Sequence, residues 1–186
     1  MSAADPRDDL TEHLPALRAF AISLAGDVAT ADDLVQDTIV KAWTNIEKFQ
    51  PGTNMRAWLF TILRNTFYSH RRKRKREVAD PDSVHAGRIA VRPAHDGRLA
   101  MNDFRDAFEQ LSPEHREVLI LVGASGFSYE EVAEMTGVAI GTVKSRANRA
   151  RARVCELLKL EPGEDPISGQ GGADLAVFSD APTNAA

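Results

Sequence analysis

Two short stretches of this chain carry the residue types that grip a polyanion. The first is a run of aromatic and cationic side chains in steps of four, Arg56, Phe60, Arg64, Tyr68 and Arg72, with Trp58, Asn65 and Ser69 beside it. It ends in the unbroken basic tract Arg71 to Arg76. Cations that hold phosphate, interleaved with rings that stack exposed bases, suit single-stranded or opening DNA. The competing reading makes Trp58 and Phe60 core residues and the basic run a solvated helix end, favourably placed on the helix dipole. The second stretch places Thr142, Arg146, Arg149 and Arg153 at i, i+4, i+7 and i+11, with Lys144 and Ser145 alongside. From Lys144 to Arg153 there is no acid, whereas a merely solvated helix face normally interleaves Glu for i,i+4 pairs.

The charge distribution says the same. The chain of 186 residues has a formal net charge of −4, yet residues 64–76 carry seven cations and no acid. Residues 144–160 carry six cations against one acid, and the remaining segments are all acidic on balance. Two isolated basic blocks suggest two contact points on one polyanion.

Helical patterns must position these residues, and no alternating run is long enough for a strand. A first helix is expected from Leu10 to Ala25, and a second from a capping start at Thr30–Asp33 to about Phe49. After the Pro51-Gly52 break and a cap at Thr53, a third helix should run from Asn54 into the basic tract, with Leu59, Ile62, Leu63 and Phe67 as its core stripe. On the second helix Val35, Ile39, Ala42, Trp43 and Ile46 are expected to face inward. Asp33, Gln36, Asp37, Val40 and Lys41 then form a polar, mainly acidic outer stripe. That stripe repels DNA; it suits docking of a basic protein surface, or plain solvation.

A second helical block is expected to open at Asn102-Asp103 and to re-cap at Ser112-Pro113 and at Ser128-Tyr-Glu-Glu131, a capping box. Within it Val132, Ala133 and Met135 give the inner face of a short helix, and Gly137 permits a tight turn. Ile140, Val143, Ala147, Ala150 and Val154 recur at helical spacing beyond the turn. This is a helix-turn-helix, whose second helix enters the major groove in DNA-binding versions.

The expected fold is all-α: two small helical domains at 10–76 and 99–160, joined by a flexible linker at 77–98. A disordered N-terminus covers 1–9 and an acidic disordered tail 161–186. Domains this small bury only about 60% of their unfolded surface.

Catalysis has little support. The five histidines are scattered, and neither HExxH, a phosphate-cradling GxxxxGK[ST] loop nor a G-x-S-x-G elbow occurs. The single cysteine, Cys155, excludes a disulfide framework and a Cys-rich zinc module, and reads best as a small buried hydrophobe. The N-terminus has an acidic flank and no apolar core, so a signal peptide is not expected. No cofactor, no metal and no membrane contact is expected, and the implied location is the cytoplasm.

Four motifs in order along the chain carry a resemblance. They are Asp32-Asp-Leu-Val-Gln-Asp-Thr-Ile-Val-Lys-Ala-Trp43, Ala57-Trp-Leu-Phe-Thr-Ile-Leu-Arg-Asn65, Leu111-Ser-Pro-Glu-His-Arg-Glu-Val-Leu119 and Gly141-Thr-Val-Lys-Ser-Arg146. Together they resemble the extracytoplasmic-function (ECF) sigma factors of bacterial RNA polymerase, which retain region two and region four joined by a linker. Phe60–Asn65 together with Val122–Glu131 resembles more narrowly the EcfG branch, which directs the general stress response and is held by the anti-sigma factor NepR.

The resemblance implies roles. Asp33, Gln36, Asp37 and Lys41, with Val40 in the same stripe, would dock on the β′ clamp helices of core polymerase, whose β flap is a further contact. Asn54 and Asn65 would read and open the −10 element, and Arg64 with the Arg71–Arg76 run would hold phosphates. Arg56, Trp58, Tyr68, Arg71 and Arg72 belong to the same −10 surface. Thr142, Lys144, Ser145, Arg146 and Arg149, with Arg153, would read the −35 element. The implied partners are polymerase core, promoter DNA and a NepR-type anti-sigma factor, and polymerase would supply the chemistry. Ala139 leaves the recognition helix without a capping side chain. Two other functions use the same residues: a free-standing helix-turn-helix regulator, and a sigma-like decoy that binds only an anti-sigma protein.

Overall fold

The computed structural model describes residues 5–78 and 96–160, which fall into two compact units. Every regular element among the described residues is helical.

The first unit packs α1 (Leu14–Ala25), α2 (Val28–Thr44) and α3 (Met55–Val78) around one core. A 3₁₀ turn over Asp8–His13 precedes α1, so residues 8 and 9, expected to be unstructured, are part of the fold. Leu10, buried to 2% exposure, anchors this turn, and burying an apolar side chain offsets the entropy of ordering its neighbours. Helix α2 starts earlier than expected. Asp27, in extended conformation, caps it by accepting the Thr30 N–H at 2.8 Å, so Thr30–Asp33 lie inside the helix. It also ends sooner, at Thr44, and a separate 3₁₀ turn covers Ile46–Lys48.

The buried stripe of α2 is Ala31, Leu34, Thr38 and Ala42, continued by Ile46, and not the bulkier set expected. Ala42 and Ile46 are buried as expected, Val35 and Ile39 are half-buried, and Trp43 points outward at 55% exposure. Leu34 and Ile46 fill the stripe between smaller residues where α2 packs on α1 and α3, and Thr38 hides its hydroxyl by donating to Leu34 O at 2.7 Å. An ion pair closes the α1–α2 face: Arg18 Nε lies 2.7 Å from Asp32 Oδ1, and this bond raises the guanidinium pKa.

Helix α3 contributes Leu59, Phe60, Leu63, Thr66 and Phe67 to the core. Phe60, placed by its four-step spacing on the basic face, is in fact fully buried, and its ring stacks on Phe20 with centroids 4.8 Å apart. Asn54, not Thr53, caps α3: its Oδ1 accepts the Ala57 N–H at 3.1 Å, while the Thr53 hydroxyl donates to Gln50 O. The helix runs on through the whole basic tract to Val78.

The second unit comprises α4 (Asp96–Glu109), α5 (Pro113–Leu119), α6 (Tyr129–Thr136) and α7 (Ile140–Leu158). Helix α4 starts at Asp96, before the expected opening at Asn102-Asp103. Ser112 caps α5, accepting the His115 N–H. Its C-terminal end widens into a π-helical turn over Ile120–Ala124, where the Ser125 N–H donates to Ile120 O at 2.7 Å. This extra residue per turn brings Phe127 back to the core ahead of α6. Helix α7 packs on α4, α5 and α6 through Val143, Ala147, Ala150 and Val154, all fully buried; Cys155 is half-buried. The expected linker, apart from residues 77–78 and 96–98, and the expected tail at 161–186 lie outside the described residues.

Candidate nucleic-acid interface

The helix-turn-helix forms as the sequence demands. Ser128 accepts the Glu131 N–H at 3.1 Å while Glu131 Oε2 accepts the Ser128 N–H at 2.8 Å, a reciprocal capping box that fixes where α6 begins. Gly137 ends α6 with φ +69°, a left-handed conformation that strains any side chain with a Cβ. Ala139 then leads into α7 with φ −61°, ψ 143° and no side-chain cap.

On α7 the fully buried stripe sends the cations to the other side. Lys144 and Arg149 are exposed, and Arg146 is half-buried. Neither Arg146 nor Arg149 makes an ion pair among the described residues, whereas Arg153 pairs with Glu156 at 2.7 Å. The Ser145 hydroxyl donates to Thr142 O at 3.0 Å, which leaves its lone pairs able to accept. The sequence reading missed Arg151, whose Nη1 donates to the Tyr129 hydroxyl at 3.3 Å. It also passed over Tyr129, which lies under Lys144, and exposed Asn148, a residue type that can bond adenine. Asn and Tyr carry no charge, so a search for cationic periodicity could not find them.

In the first unit, α2 and α3 enclose a cleft of about 300 Å³ lined by Lys41, Asn45, Lys48, Trp58, Ile62, Asn65, Thr66 and Ser69. Trp58 is half-buried, with its ring centroid 5.4 Å from that of Phe49, so it is neither wholly core nor free. Asn65 accepts a hydrogen bond from Arg64 Nη1 at 3.2 Å, and the Arg64 guanidinium lies 4.9 Å from the Tyr68 centroid. Arg56, over Phe60 at 5.3 Å, is buried enough that desolvation lowers its pKa. Arg72 donates to Ser69 Oγ at 3.1 Å, and the basic tract from Arg71 onward is exposed. Asn54 is exposed and turned to capping α3.

The outer stripe of α2 is partly tied to α3. Asp37 Oδ2 meets His70 Nε2 at 3.1 Å, and Lys41 Nζ donates to Thr66 Oγ1 at 2.9 Å, which puts Lys41 on the cleft. Asp33, Gln36 and Val40 are exposed, Val40 at 64%, and outward-facing Trp43 continues their surface under the guanidinium of Arg7 at 5.2 Å. Among the described residues no group of His, Cys, Asp and Glu could hold a metal ion, and no helix is long and apolar enough to cross a membrane.

Among the described residues, a helix-turn-helix in one helical unit and a cationic, aromatic cleft in the other mark the chain as a DNA-binding protein of two helical modules. Sigma-70 region 2 matches residues 10–77, and Sigma-70, region 4 matches residues 101–154. The chain belongs to the ECF RNA polymerase sigma factors. It is 53% identical over 159 residues to the ECF RNA polymerase sigma factor EcfG of Rhodopseudomonas palustris (strain TIE-1), covering 86% of this chain and 88% of that one. ECF RNA polymerase sigma factor SigL of Mycobacterium tuberculosis (strain ATCC 25618 / H37Rv) is 34% identical over 142 residues, covering 75% of this chain and 80% of that one. Among solved structures, the sigma factor RpoE from Bartonella quintana, in complex with the anti-sigma factor NepR, is 54% identical. The match covers 86% of this chain and 100% of that chain, with a TM-score of 0.76. Membership favours a promoter-specificity subunit over both a free-standing regulator and a sigma-like decoy.

Proposed function

We propose that this sigma factor directs core polymerase to stress-response promoters by reading the −35 element with α7 and opening the −10 element at the α2–α3 cleft. The observation that carries this reading is the cationic run of α7 from Lys144 to Arg153, free of acids and carried on the second helix of a helix-turn-helix whose first helix is fixed by a capping box. Thr142, Lys144, Ser145, Arg146, Arg149 and Arg153 serve the −35 contact. Trp58 and Asn65, on the cleft, take an unstacked base of the −10 element. Asn54 fixes the start of α3 beneath them, while Arg56, Arg64, Tyr68, Arg71 and Arg72 hold the strand. Residues 10–76 and 99–160 form the two working domains. The chain brings no active site of its own; it works in the cytoplasm as a subunit of the polymerase.

Asp33, Gln36, Asp37, Val40 and Lys41 form the face offered to the β′ clamp helices, with the β flap as a further polymerase contact. By its likeness to RpoE in the NepR complex, an anti-sigma factor of NepR type is the inhibitor. The deciding experiment is reconstituted transcription. Core polymerase alone should give no promoter-specific transcript, and adding this protein should produce one; no gain at any stress promoter would overturn the reading.

Two variants test the surfaces separately. Asp37→Arg should weaken association with core polymerase at least ~10-fold in a binding titration, since a misplaced like charge is costly at a charged interface. The fold should survive, because Asp37 is half-exposed and the neighbouring Thr38 faces the core. Removing two cations from Arg71–Arg76 should weaken promoter binding across sequences and flatten the plot of log affinity against log salt by about 1.8. An unchanged slope would remove these residues from the phosphate contact.

A further inference from the structure

We propose that Tyr129 is a positioning residue for promoter recognition: from the first helix of the helix-turn-helix it holds Lys144 and Arg151 as one of two cationic rows flanking the DNA-reading face of α7. The proposal rests on the DNA reading of α7 and adds to it the residue that prepares one side of that helix.

At about 100° per residue, the buried Val143, Ala147, Ala150 and Val154 mark the inner side of α7. Turning one way from that stripe reaches Lys144 and Arg151, seven residues apart and so on one face. Turning the other way reaches Thr142, Arg146 and Arg153. Opposite the core lie shorter side chains, Ser145, Asn148 and Ala152, with Arg149 toward the second row. The result is a low floor with a cationic row on each side. A helix in the major groove, about 12 Å wide, meets base edges below and a phosphate backbone along each wall, and this cross-section matches that demand. Arg151 and Arg153 face the walls, while Arg146, in the N-terminal half of α7, is long enough to reach from its row to a base edge.

Of the two rows, Tyr129 touches the one that holds Lys144 and Arg151. Its hydroxyl accepts from Arg151 Nη1 at 3.3 Å, and Lys144 Nζ lies 5.8 Å from its ring centroid. Tyr129 is itself well fixed, half-buried and directly after the Ser128–Glu131 capping box. Lys and Arg otherwise lose much rotamer freedom when DNA orders them, so a ring that already holds both lowers that cost. Among the described residues the second row is braced at Arg153, through Glu156.

The test is a double-mutant cycle with the full chain bound to core polymerase, measuring affinity for a promoter fragment. Tyr129→Phe keeps the ring and loses the hydroxyl contact, and should lower affinity about 2–4-fold. Tyr129→Ala releases both cations and should cost about 5–20-fold. In a Lys144→Ala, Arg151→Ala background, Tyr129→Ala should have no further effect, because the groups it positions are gone. A loss of the same factor in that background would overturn the proposal and leave Tyr129 a merely structural residue. If Lys144→Ala, Arg151→Ala alone left affinity unchanged while Arg149→Ala lowered it, DNA reading would stand and this row would fall. If none of these variants changed affinity, the reading of α7 itself would fail. Should Tyr129→Ala not fold, the same cycle run with Tyr129→Phe against Arg151→Ala decides.

Discussion

Phe60→Ala should unfold the N-terminal unit at temperatures where the parent protein is intact. Phe60 is fully buried, stacks on Phe20 at 4.8 Å and lies beside the Arg56 guanidinium. Truncating a buried phenylalanine typically costs about 3–5 kcal/mol, through lost burial and the cavity left behind. A helical unit of this size has little stability to spare, with roughly 60% of its unfolded surface buried. Arg56 would suffer too: a half-buried cation whose pKa is already lowered by desolvation would lose its aromatic neighbour. The measurement is clean because both tryptophans, Trp43 and Trp58, lie in this unit. Tryptophan fluorescence should therefore report a transition at much lower denaturant, while amide protection in α5, α6 and α7 stays as in the parent. A fluorescence midpoint unchanged within about 1 kcal/mol would mean that Phe60 is not the centre of that core.

The fate of Phe60 also shows what the sequence could and could not disclose. Periodicity located the helix and its five-residue row, but a row at steps of four drifts about 40° per step around the helix, so one row can begin on solvent and cross the core. Steps of four therefore cannot fix a boundary between core and surface. The inward face of α2 was misread for a related reason. Hydrophobic size favoured Val35, Ile39 and Trp43 beside Ala42 and Ile46; the fold keeps Ala42 and Ile46 but buries Ala31, Leu34 and Thr38 in place of the other three, and Trp43 is left outside beside Val40. In the second unit the signals of the helix-turn-helix agreed: Ser128 with Glu131, Gly137 at positive φ, and the buried stripe from Val143 to Val154 fell where they were expected. Ala133 and Ile140, however, are only half-buried, and α4 starts at Asp96, ahead of Asn102-Asp103. The cationic runs were legible because charge is written in the sequence, although Arg151, inside the second run, was passed over. The tethers on them were not, since Asp37–His70, Lys41–Thr66 and Arg151–Tyr129 join residues 33, 25 and 22 positions apart. Only the fold brings such pairs together.

Arg146→Ala should lower affinity for the cognate −35 element by about 1–3 kcal/mol and relax the preference at one base pair, with other positions kept. Arg146 sits in the N-terminal half of α7, two turns from its start at Ile140, where a recognition helix meets base edges. It is half-buried rather than waving in solvent, and it makes no ion pair among the described residues, so its planar fork is available for the two acceptors of guanine. Arg153, further along and paired with Glu156 at 2.7 Å, should give a smaller and sequence-independent loss when replaced, as a backbone contact does. The check is a set of promoter fragments carrying each single base change in the −35 element, titrated with holoenzyme containing the parent protein, Arg146→Ala or Arg153→Ala. Base reading requires that one substitution in the DNA cost the parent much but Arg146→Ala nothing. If Arg146→Ala lost the same factor on every fragment, Arg146 would hold phosphate, and the base-reading role would pass to its neighbours Ser145, Asn148 and Arg149.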